Sequence, residues 1–169
     1  MMSDVGNGAA MEALLTAIVL WLSANFGLPS TFEHPTIKFL SASEMKAARS
    51  DTPPIQPLGK ASNNAFSKPE DIRTLVAFYD GDRKIIYLSN EWTGQTAADT
   101  SVIVHEMVHH LQREGGLQYE CPSAREKIAL EAQDKWLKLF GHSLEGDFHI
   151  DRLTMLVTTS CAFGVFNPP

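Results

Sequence analysis

The sequence predicts an α+β domain with helices grouped on one side of a small antiparallel sheet, and three observations carry that expectation. Residues 74–88 contain two β-rich runs around a Gly-containing turn. Residues 100–113 and 123–140 repeat apolar side chains at helical spacing, and a mostly apolar stretch between Gly8 and Phe26 reads as a further helix. A chain of 169 residues, 44% of them hydrophobic, is the size of one ordinary domain, so a single domain over residues 1–169 is expected. Fourteen basic residues stand against 20 acidic ones, for a net charge of −6, and no basic run could track a phosphate backbone. Nucleic acid is therefore not an expected partner.

In chain order, the first helix is stopped by Gly27 and Pro29. Its most apolar part, Ala13 to Leu22, is about half of the roughly 20 residues that span a bilayer, and no Lys or Arg occurs before Lys38. A buried helix is expected in preference to a signal peptide or a membrane span. His34 reads as a lone surface residue, Thr36–Leu40 as a short strand and Ser43–Arg49 as a short polar helix. From Ser50 to Glu70 the chain is rich in Pro, Ser, Asn and Gly, which predicts an irregular loop. The following hairpin turns at Asp80-Gly81-Asp82-Arg83, and its second strand could offer an edge to an extended peptide.

Asp99-Thr100-Ser101 supplies capping oxygens and Gly115-Gly116 a stop, so a helix is expected from about 100 to 113. Val104, Met107, Val108 and Leu111 form its core face. His105, His109 and Gln112 form the neighbouring stripe. Residues four apart on a helix share a face, so His105 and His109 can hold one metal ion between them. Together with Glu106 they make His-Glu-x-x-His, the pattern in which two imidazoles bind zinc and the glutamate acts as general base on a metal-activated water. His110 is turned about 100° from His109 and is expected at the surface.

Catalytic zinc usually has three protein ligands. A third His with a mid-spaced Gly is excluded, because Gln112 and Gly115 occupy those positions. The helix expected from Ser123 to Phe140 offers acidic alternatives. Counting helical rise back from His109, Glu126 falls slightly before the matching level and Glu131 slightly after it. Glu126 shares a stripe with Ala129, Gln133 and Trp136 and is the favoured ligand, with Glu131 second and Glu120 third. Tyr119, His142 and His149 are unranked candidates to stabilise an oxyanion.

His105-Glu106-Met107-Val108-His109, followed 17 residues later by Glu126, resembles the gluzincin group of zinc metallopeptidases, to which thermolysin belongs. The order of hairpin, motif helix and glutamate helix over roughly residues 75–140 resembles a minimal zincin core. The stretch His105 to Gln112, with Cys121-Pro-Ser-Ala-Arg-Glu126 and Ala132-Gln133-Asp134-Lys135-Trp136, is similar to an uncharacterised small bacterial zincin-like family. Thermolysin-like enzymes carry an Asp four residues after the ligand Glu, where this chain has Leu130.

The resemblance implies a small zinc-dependent hydrolase cleaving peptide bonds, with Zn²⁺ on His105, His109 and Glu126 and Glu106 as the base. The alternative is a zinc-binding module of the same fold without turnover. Asp151 could cap a last helix through Leu153, Leu156, Val157 and Cys161, expected to pack on the N-terminal helix. Cys121 and Cys161 could bridge, implying an oxidising compartment, or stay as buried thiols. Without a charged signal-peptide start, a cytoplasmic location is slightly favoured.

Overall fold

The computed structural model describes residues 4–30, 33–51 and 76–164. The elements are α1 (Asp4–Phe26), β1 (Thr36–Leu40), α2 (Ala42–Asp51), β2 (Ala77–Asp80), β3 (Ile85–Ser89), α3 (Ala97–Glu114), α4 (Pro122–Lys138), α5 (Leu144–Phe148) and α6 (Arg152–Thr159), followed by a 3₁₀ turn at Cys161–Gly164. The architecture is α+β, as the sequence predicts. The irregular loop expected for residues 50–70 falls outside the described residues from residue 52 on.

The sheet has the order β1-β3-β2 and is mixed rather than antiparallel. β2 and β3 form the expected antiparallel hairpin, while β1 pairs parallel to β3, with Thr36 opposite Ile85 and Leu40 opposite Ser89. β3 is thus the central strand, so the edges belong to β1 and β2 rather than to the strand that precedes the motif helix. All five residues of β3 are buried. Ile86 and Leu88 pack into the main core with α1 and α3, and Ile85 and Tyr87 pack with Met45 of α2. Successive strand residues point to opposite faces, so α2 covers the second face of the sheet. Helices consequently lie on both sides, not on one.

α1 inserts Leu15, Ile18, Val19 and Leu22 into the main core, at the i, i+3, i+4, i+7 spacing of one helical face. Its Trp21 meets Trp136 of α4 edge to face. The apolar run is longer than the ten residues counted from sequence: Gly8–Phe26 is long and apolar enough by length and composition to cross a membrane, with 22% of that window buried. α6 packs on α4, not on α1 as expected. Its Met155 joins the small cluster of Leu130, Leu137 and Leu144, leaving Leu153, Leu156 and Val157 exposed.

Two histidines expected at the surface are internal. The His34 side chain is 8% exposed, and its Nδ1 lies 2.6 Å from the Glu12 carboxylate on α1. His110 is fully buried. Its Nε2 lies 2.9 Å from the Glu33 carbonyl, which can only accept, so Nε2 carries the hydrogen; Nδ1 then accepts from the Tyr79 hydroxyl at 3.0 Å. Burial pushes the His110 imidazole below its ordinary pKa, which suits that neutral tautomer. This side of α3 is not solvent because β2 and the segment entering β1 cover it. Periodicity along one helix says nothing about neighbours supplied from elsewhere.

Cys121 and Cys161 are bridged, with Cα atoms 5.8 Å apart. The bridge ties the residue preceding α4 to the 3₁₀ turn that follows α6.

Candidate metal centre

α3 begins three residues earlier than expected, because Thr96 rather than the Asp99 group is the cap. Its hydroxyl accepts from the Asp99 N–H at 3.0 Å, and Trp92 donates its indole N–H to the Asp99 carbonyl at 2.8 Å. The helix ends at Gly115, with Gly116 in the left-handed region at φ +59°. Val104, Met107, Val108 and Leu111 are fully buried, as their spacing predicts. That fixes the rotation of α3, and with it the direction in which the histidine stripe points.

The stripe points at α4. Pairs between the two helices run in opposite senses: His109 to Glu126, His105 to Gln133 and Thr100 to Trp136. The helices are therefore antiparallel, and the level of His109 falls on Glu126. His105 Nε2 and His109 Nε2 are 3.3 Å apart. The Glu126 carboxylate straddles them, with one oxygen 3.2 Å from His105 Nε2 and the other 3.3 Å from His109 Nε2. Among the described residues these three form the group able to hold a metal ion. A tetrahedral ion with bonds of about 2.0–2.1 Å to N and O separates its ligand atoms by about 3.3–3.4 Å. The observed spacings fit that size.

Glu131 does not reach this point. It is exposed and lines a separate surface depression with Asp134, Lys135 and Lys138. Glu120 is exposed in the connection between α3 and α4. The helical angle between Glu126 and Glu131 is the reason, since one α4 stripe faces α3 and the other faces α5 and α6.

The imidazoles are held from behind by two residues that sequence reasoning did not assign. His105 Nδ1 lies 3.1 Å from Gln133 Oε1, and His109 Nδ1 lies 3.1 Å from Gln112 Oε1. These are carbonyl-type acceptors, the usual support for metal-binding histidines. Gln133 stands about one turn further along α4 than Leu130 and faces His105. A signal was available, because Gln112 lies on the His105–His109 stripe and Gln133 on the Glu126 stripe.

With both Nδ1 atoms turned to acceptors, the two Nε2 lone pairs and a carboxylate converge, an arrangement that requires a positive charge among them. Protons can supply it: burial disfavours a charged His109, but Glu126 outweighs this and raises the imidazole above its ordinary pKa. Burial likewise opposes ionisation of Glu126, yet hydrogen bonds from His105 and His109 hold its carboxyl well below the usual carboxylate range.

A protein-family profile described as "Domain of unknown function (DUF6647)" matches residues 7–168. The chain belongs to this DUF6647 family. No curated protein and no solved structure significantly matches it.

In this DUF6647 domain Glu106 is buried beside the pair, near enough to favour the charged form of His109. Of the residues considered for an oxyanion, His142 pairs with Asp147 at 3.0 Å in an exposed turn, and His149 terminates α5 with φ 55°. Tyr119 is the one beside the cluster, close to Gln112 and Arg125. Its hydroxyl is buried with no hydrogen-bond partner among the described residues. Burial raises its pKa against the opposing influence of those two neighbours, so it stays a proton donor at neutral pH.

Proposed function

We propose that this protein is a zinc-dependent hydrolase of the gluzincin type, a small metallopeptidase that cleaves peptide bonds. The observation that carries the reading is the convergence of His105, His109 and Glu126 at the spacing of a tetrahedral ion, with Glu106 on the next position of the same helix. Bound zinc would supply a Lewis acid and an activated water.

The chain's own groups take the remaining roles. His105 and His109 donate through Nε2, and Glu126 adds the one anionic ligand. Glu106 accepts the proton of the attacking water and returns it to the leaving amine. The Tyr119 hydroxyl, unpartnered among the described residues, would donate to the oxygen of the cleaved carbonyl as charge develops on it. The bridged cysteines suit an oxidising compartment better than the cytosol, which favours an exported protein over the cytoplasmic location suggested by the absence of a basic start.

The test is Glu106→Gln. The variant is expected to retain about one zinc per chain and lose at least about a hundredfold in peptide hydrolysis, the usual contribution of a positioned general base. Tyr119→Phe should lower kcat with zinc content unchanged. A zinc-loaded wild-type protein that cleaves nothing in a broad peptide library would instead identify a binding module without turnover.

A further inference from the structure

The two glutamines behind the imidazoles are themselves oriented from their far sides, and that orientation is decided by groups outside the centre. Gln112 donates its amide N–H to the Arg125 main-chain carbonyl at 3.0 Å. Gln133 donates to the Ser101 hydroxyl oxygen at 3.2 Å. Ser101 in turn gives its own hydrogen to the Ala98 carbonyl at 2.7 Å, so toward Gln133 it acts as an acceptor. A main-chain carbonyl can only accept. Both carboxamides must therefore turn their NH₂ groups away from the histidines and their oxygens toward Nδ1. Each Nδ1 then carries a hydrogen, and each Nε2 keeps its lone pair for the cluster.

We infer that Gln112 and Gln133 are positioning residues that lock His109 and His105 in the Nδ1–H tautomer and, being uncharged, leave zinc and its three protein ligands net positive when the metal is bound. The inference rests on reading the cluster as a zinc site. A carboxylate behind a histidine draws on the Nδ1 proton, makes the imidazole a stronger donor and tightens the metal at the expense of its charge. A carboxamide orients the ring equally well without that effect. Glu126 is then the sole anion on the metal, and the remaining positive charge is available to polarise a substrate carbonyl. The arrangement exchanges some metal affinity for electrophilicity.

Gln133 is the residue to change, since it is 5% exposed and its two partners lie on α3. Gln133→Leu and Gln133→Glu proteins would be titrated with zinc against a chromophoric chelator, and two-bond ¹H–¹⁵N correlations of the zinc-loaded forms would show which imidazole nitrogen is protonated. In wild type both His105 and His109 are expected to carry the hydrogen on Nδ1. Gln133→Leu should weaken zinc by about 10–100-fold. Gln133→Glu should restore the hydrogen bond and bind zinc more tightly than wild type, while turning substrate over more slowly. A merely structural role for Gln133 would not produce that tightening. Wild-type zinc binding with an Nε2-protonated His105, or a Gln133→Glu protein that binds zinc more weakly than wild type, overturns the inference and leaves the zinc reading standing. A wild-type protein that binds no zinc overturns both.

Discussion

Zinc should stabilise this fold, and the geometry states which carboxylate the effect depends on. A ligand that binds only the folded state stabilises it by RT ln(1 + [L]/Kd), about 2.7 kcal/mol at a hundredfold excess of free zinc over Kd. For a domain of 169 residues each kcal/mol moves the melting temperature by about 2–4 °C, so the expected rise is about 5–11 °C. Glu126 contacts both imidazoles at 3.2 and 3.3 Å and would be the only anionic ligand. Glu126→Ala should therefore weaken zinc strongly. A thousandfold loss in affinity at the same free zinc leaves under about 0.1 kcal/mol, which is no resolvable shift. Glu131→Ala should keep the full shift, because Glu131 faces the opposite groove. The assay is thermal unfolding of the three proteins in zinc-buffered and chelator-treated solution. A wild-type protein with no shift at saturating zinc, or a shift lost in Glu131→Ala and kept in Glu126→Ala, would refute the assignment.

The remaining predictions concern the frame that holds the centre. Replacing Cys121 and Cys161 by Ser opens a loop with a sequence separation of 40; the chain-entropy estimate is about 4 kcal/mol of stability, measurable by urea denaturation, and an unchanged midpoint would contradict it. His110→Leu takes from the Tyr79 hydroxyl the ring nitrogen it bonds at 3.0 Å, at about 1–3 kcal/mol for one polar group left unsatisfied, read from the same unfolding curves. Burial, aided by the charge of Glu114, pushes the Tyr79 phenol from 10.0 up to about 12. The unfolded chain ionises this tyrosine first, so its contribution is fully present below pH 10.0 and is lost as the pH rises through about 12. Ultraviolet titration should show a late-ionising tyrosine in the folded protein that vanishes in Tyr79→Phe.

Most of the site that could be read from sequence lies within one helix. His105, Glu106 and His109 are related by helical spacing alone, and the apolar positions Val104, Met107, Val108 and Leu111 set which way they face. Glu126 was reachable too, through helical rise and angle on two helices joined by a short connection. The parallel pairing of β1 with β3 was not legible, because the crossover between them contains α2 and some thirty further residues of sequence, and no local pattern specifies such a return. The burial of His34 and His110 was hidden for a related reason. Each is buried by an element far away in sequence, His34 against α1 and His110 against β2 and Glu33.

What the sequence by itself determined was a constellation and its frame: a pair of imidazoles at helical spacing, a carboxylate between them in sequence, and an α+β frame built from alternating and helical periodicities. These follow from short-range geometry, which repeats every two or 3.6 residues and needs no partner. Tertiary structure alone set the Glu126 carboxylate against both imidazoles and Glu131 away from them, bridged Cys121 to Cys161, and put Gln133 behind His105. Each of those depends on how elements pack against one another, which is set by the fit of whole apolar faces and not by any residue of the motif.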